Sequence, residues 1–75
     1  MKNDIINHPA HYAGTSIETI EYIEDKLSAE EFDGYCVGNV LKYVSRYRFK
    51  GGIDDLKKAA WYLKRLIKTM EKRKK

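Results

Sequence analysis

Leu56, Ala59, Ala60, Leu63, Leu66, Ile67 and Met70 recur at steps of three and four residues, a period that only an α-helix turns into a single apolar stripe. Ile53-Asp54-Asp55 stands just ahead of it, with acids where a helix start favours them. Before that lies a second helical pattern from Tyr35 to Arg48, closed by Gly51-Gly52, with Lys50 suited to a helix C-terminus. Ser28-Ala29-Glu30-Glu31 has the spacing of a capping box, so this second helix is expected to start at Ser28. Gly34 and Gly38 weaken its first part, and a break near Asp33-Gly34 is expected. Ile17, Ile20, Ile23 and Leu27 give a first helix, capped by Thr15 or Ser16.

These patterns predict an all-α fold, a small antiparallel three-helix bundle. Residues 1–15, with His8-Pro9 and Gly14 and no helical period, read as an irregular N-terminal arm. Residues 16–70 are the helical domain, and residues 71–75 a basic tail that frays. A chain of 75 residues has little core to spare. Its one cysteine, Cys36, rules out an internal disulfide and fits a reducing compartment or a packed small hydrophobe. Helix packing and homo-oligomerisation are the remaining sources of stability. No apolar run approaches the roughly 20 residues of a membrane span, and no signal peptide is evident, so a cytoplasmic protein without membrane contact is expected.

Charge is divided along the chain. Residues 1–33 carry eight carboxylates against Lys2 and Lys26, a net −6; residues 34–75 carry thirteen Lys or Arg against three acids, a net +10. The split points to an anionic partner for the second half, to head-to-tail pairing of protomers, or to neutralisation within one fold.

Around the second helix, Val37, Val40, Leu41, Val44 and Tyr47 cluster on one side and are expected to face the core. Asn39, Lys42, Tyr43, Arg46 and Lys50 share the opposite face. Such a face is what any solvated helix presents. It is also chemically apt for a nucleotide or other phosphate-bearing small molecule. Lys and Arg neutralise phosphate, Arg bidentately; tyrosine gives a stacking surface and asparagine reads an edge. Six tyrosines and one tryptophan exceed what so small a core buries, and exposed aromatics mark interfaces.

Other features carry less. Lys50-Gly51-Gly52 lacks the spacing of a phosphate-binding P-loop and reads as a helix C-cap. His8 and His11 have no evident third metal ligand. Glu18 and Asp55 would make a Mg²⁺ site if the first and third helices are adjacent; otherwise they are first-turn acids.

Four segments together resemble a family of small phage proteins labelled SaV-like or phage nucleotide kinase-like. They are His8-Pro9-Ala10-His11-Tyr12, Gly38 through Tyr47, Lys50-Gly51-Gly52, and Asp55 through Leu63. The resemblance runs from about His8 to Ile67. It implies a nucleoside monophosphate kinase-like phosphotransferase without a Walker motif, working in the cytoplasm of the infected host. The motif positions it marks are His11, Tyr12, Gly38, Asn39, Lys42, Tyr43, Arg46, Lys50, Asp55, Lys58 and Tyr62.

In the enzyme that the resemblance implies, Asn39, Tyr43 and Tyr62 contact base and sugar, Tyr12 binds substrate with them, and Lys42, Arg46, Lys50 and Lys58 neutralise phosphates. Asp55, with Glu18, holds Mg²⁺, and His11, Arg46 and Asp55 serve the transfer itself. Two further functions need no chemistry: a nucleotide-sequestering sponge that uses the same face, and a host-interaction module driven by the basic second half and tail. Nucleic acid is the weaker expectation, because the tyrosine-and-acid mixture lacks a groove-reading pattern.

Overall fold

The computed structural model describes residues 18–74. The chain divides into two compact units, Met1–Phe32 and Asp33–Lys75. All regular structure among the described residues is helical: α1 Thr19–Lys26, α2 Ala29–Arg46 and α3 Gly52–Arg73. The expected all-α class is therefore observed.

In the first unit, α1 is short and entered through a reciprocal cap, the Glu21 carboxylate accepting the Glu18 N–H at 3.4 Å. The expected caps Thr15 and Ser16 lie outside the described residues. Helix α2 then starts on the predicted box: Ser28 N–H donates to Glu31 Oε1 at 2.8 Å, and Glu31 N–H to Ser28 Oγ at 3.2 Å. It passes through Gly34 and Gly38 without the expected break. Each glycine costs a helix about 1 kcal/mol relative to alanine, too little to interrupt 18 residues with a satisfied N-terminus and a partner helix.

In the second unit, α2 ends at Arg46, two residues earlier than its pattern suggested, and residues 47–51 turn the chain. Gly52 sits at φ +55°, a left-handed conformation natural to glycine, and its N–H reaches the Tyr47 carbonyl at 2.8 Å. Helix α3 runs back antiparallel to α2. Arg46 meets Asp55 near the turn, Tyr35 meets Tyr62 midway, and Arg73 donates to Asp33 at 3.0 Å at the far end. The predicted fraying therefore does not extend to residues 71–73, which are helical and anchored by that pair.

One expectation about the packing is met only in part. On the apolar side of α2, Val40 and Tyr47 are half-buried but Val37, Leu41 and Val44 are exposed, while Asn39, Tyr43 and Arg46 of the other face are half-buried. On α3, Ala59 and Leu66 are buried as expected, but Leu56, Leu63, Ile67 and Met70 are exposed. The seam of the hairpin is instead built from Cys36, Ala59 and Leu66 together with Asp55, Thr69 and the tyrosines. Two helices cover only one face of each other. Here the covered face is the one with specific pairings, aromatic stacking worth about 0.5–1.5 kcal/mol per pair beyond burial and an ion pair with its hydrogen bonds.

Candidate functional site

The seam places Tyr43 of α2 against Tyr62 of α3, their rings stacked at 6.1 Å between centroids with planes 19° apart. Tyr62 also receives Tyr35 edge-on at 6.0 Å and Trp61 edge-on at 5.0 Å. Helical spacing explains the gathering: Tyr35, Asn39, Tyr43 and Arg46 follow one another at steps of four and three residues, and so share a side of α2. Burial, and after it the hydrogen bond with Tyr35, raises the Tyr62 phenol well above its ordinary value of 10.0, so it remains protonated.

Cations surround the Tyr43 ring. Lys42 Nζ lies 4.9 Å from its centroid, Arg46 Cζ 4.9 Å and Lys58 Nζ 5.5 Å, each within cation–π range. Lys42 precedes Tyr43 in sequence and Arg46 follows one turn on; Lys58 comes across from α3. Asp55 supplies one negative charge against these three positive ones. Its carboxylate accepts from Arg46 Nε at 3.2 Å, from an Arg46 terminal nitrogen at 3.3 Å, and from the Gly51 N–H at 2.9 Å.

That engagement holds Asp55 below its ordinary value of 3.8. The Arg46 hydrogen bond is the largest cause, with the Gly51 N–H and the charges of Arg46 and Lys58 adding to it, while burial opposes. Gly51 has a spatial reason to be glycine, since a Cβ there would run into the Asp55 carboxyl group. Asp55 therefore orients the guanidinium and fills the N-terminus of α3 with the chain's own carboxylate.

Of the residues singled out in the sequence, Lys42, Tyr43, Arg46, Asp55, Lys58 and Tyr62 come together here. Asn39 shares the same side of α2, but its amide is used locally, donating to the Tyr35 carbonyl at 3.0 Å. Lys50 is exposed in the turn. His11 and Tyr12 lie outside the described residues. Glu18 takes part in the cap of α1 in the other unit. Tyr35 and Trp61 were not singled out, although Tyr35 stands one turn before Asn39 and Trp61 adjoins a motif tyrosine.

Among the described residues, no three His, Cys, Asp or Glu side chains gather as a metal site. Both Asp55 oxygens accept hydrogen bonds, from Arg46 and from the Gly51 N–H. Among the same residues, no helix is long and apolar enough to cross a membrane.

Comparison with known proteins gives a family and two curated phage relatives. Residues 6–64 match the model of DUF3310, a family described as of unknown function. The Gene 1.7 protein of Enterobacteria phage T3 is 43% identical over 67 residues, covering 83% of this chain and 40% of that protein. The Nucleotide kinase gp1.7 of Escherichia phage T7 is 38% identical over 72 residues, covering 89% of this chain and 37% of that protein. The chain thus spans about two fifths of the length of these relatives. No solved structure matches.

Proposed function

From the premise that the chain belongs to the DUF3310 family, we propose that it binds nucleotides at the group of cations around Tyr43. The observation that carries this proposal is the meeting of Lys42, Arg46 and Lys58 within 5.5 Å of one aromatic ring, opposed by a single carboxylate. Like charges held that closely repel each other, and an arriving phosphate relieves the repulsion. Arg46, held by Asp55, presents a fixed guanidinium, whereas Lys42 and Lys58 act as mobile point charges. The tyrosines and Trp61 supply stacking surfaces for a base. A phage relative named a nucleotide kinase supports a nucleotide over other phosphate-bearing ligands.

Binding without turnover is the form we favour. Asp55 is neutralised by Arg46 and held below its ordinary range, so it is a poor proton acceptor and serves to position Arg46. Phosphoryl transfer, with His11 and Arg46 acting on the transferred group and any Mg²⁺ brought by a triphosphate, is the alternative.

Thermal shift across deoxynucleoside mono- and triphosphates tests the site, because a ligand of the folded state stabilises it by mass action. We expect stabilisation of the wild type and its loss in Lys42→Ala/Lys58→Ala with helicity retained. An unchanged shift in that variant refutes the site. Formation of diphosphate from a monophosphate and a triphosphate would establish transfer, and a salt-sensitive gel shift with random DNA would favour nucleic acid.

A further inference from the structure

A second group of cations stands on α3, apart from those that ring Tyr43. Trp61, Lys64, Arg65 and Lys68 follow one another at steps of three, one and three residues. At about 100° per residue they share an arc of roughly 100°. They line a cleft of about 390 Å³, a size that suits a small ligand. Among the described residues that line it, three are cations and none is a carboxylate. The chemistry repeats that of the Tyr43 group: an aromatic ring, two exposed lysines and an arginine held by a buried side chain. Here the holder is Thr69, 2% exposed, whose hydroxyl accepts from Arg65 Nη1.

The two groups are contiguous. Lys58, which already faces the Tyr43 ring, stands three residues before Trp61 and four before Tyr62, one helical turn from each. The rings continue the connection, since Tyr43 stacks on Tyr62 at 6.1 Å and Trp61 meets Tyr62 edge-on at 5.0 Å. A nucleotide at Tyr43 thus has a further aromatic platform and a further set of cations one ring away. Together the groups bring six cations, more charge than the phosphate of one nucleotide offsets. Just beyond the cleft the charge is mixed, with Asp54 one turn before Lys57 and Lys58, and Glu71 beside Lys72.

We propose that the ligand of this protein carries two nucleotide units, the first at Tyr43 and the second with its base on Trp61 and its phosphate among Lys64, Arg65 and Lys68. The inference rests on the nucleotide reading of the Tyr43 group and names the class of ligand, a 5′-phosphorylated dinucleotide. Its two phosphates match the two sets of cations, and the indole offers stacking to any base. Arg65, positioned by Thr69, presents a guanidinium plane, and the lysines act as point charges. Mixed charge at both ends of the cleft favours this length over a continuous strand, whose further phosphates would lie against Asp54 or Glu71.

Calorimetric titration of the full chain compares, for each of the four deoxynucleosides, the 5′-monophosphate with the 5′-phosphorylated homodinucleotide. At least one dinucleotide is expected to bind roughly tenfold more tightly than its monophosphate, the gain that stacking one further base supplies. Lys64→Gln/Lys68→Gln is expected to lose that gain while keeping monophosphate affinity and helical circular dichroism, because both lysines are exposed. Lys64→Arg/Lys68→Arg should keep it. Equal affinities for monophosphates and dinucleotides in the wild type overturn the two-unit ligand and leave the Tyr43 reading standing. A gain that survives in the glutamine variant overturns the Trp61 cleft as the second position. Absence of binding by every monophosphate and dinucleotide removes the Tyr43 reading itself, and this proposal with it. A thymidine dodecanucleotide bound about a hundredfold more tightly than the dinucleotide, beyond what its extra registers supply, overturns the proposal in favour of a nucleic-acid strand.

Discussion

Asp55 shows how one side chain can join stability to a binding site. Its carboxylate is held below 3.8 by Arg46, by Gly51 and by the charge of Lys58. A carboxylate with a depressed folded-state value contributes stability that is fully present above its unfolded value and is lost as pH falls through the folded one. We therefore expect the wild type to melt above Asp55→Asn at neutral pH. The two should converge as acid protonates Asp55 below 3.8, which circular dichroism melts at several pH values would read. Gly51→Ala strikes the same contact sterically: its Cβ meets the carboxyl group and forces it off Arg46. We expect a loss of roughly 1–3 kcal/mol in denaturant unfolding, together with weaker nucleotide binding, because Arg46 loses its support.

Helix α2 offers a test of why glycine stands where alanine would serve a helix better. A Cβ built at Gly38 meets nothing within 4 Å, and neither does one at Gly34. Alanine at either position should therefore stabilise the protein by about 1 kcal/mol, measurable by chemical denaturation. If Gly38→Ala gains stability and loses nucleotide affinity, the glycine serves approach of a ligand to the backbone.

The same helix shows where sequence patterning is informative and where it fails. The Ser28 cap, the Gly51-Gly52 stop and the acidic start of α3 are local, so their chemistry was legible in the residues. Grouping Lys42, Tyr43 and Arg46 was equally local, since one helix face fixes it. Which face turned inward was not. Apolar periodicity shows that a stripe exists and not what packs on it, and the structure leaves Leu41, Leu63 and Ile67 exposed. The Arg46–Asp55 pair and the stack on Tyr62 depend on the register of α2 against α3, which no single-helix pattern encodes.

Across the molecule, the imbalance of charge sets how binding responds to solution conditions. The second half carries the excess of Lys and Arg, and the cations at Tyr43 stand within it. Raising salt from 50 to 500 mM should weaken triphosphate binding more than monophosphate binding, because more charge is neutralised on the larger ligand and screening acts on each contact. Calorimetric titration at several salt concentrations measures this, and equal slopes for the two ligands would detach the cation group from phosphate recognition.

The edge-on contact of Trp61 with Tyr62 gives the protein an optical reporter of its own. Tyr62 is stacked on Tyr43, so the only tryptophan of the chain adjoins the stack that borders the proposed ligand position. Light absorbed by these tyrosines passes readily to an indole at such short range, and any reorientation of the stack alters both the transfer and the emission. Occupancy of the site can then be followed in unlabelled protein, through the quenching and spectral shift of a single fluorophore.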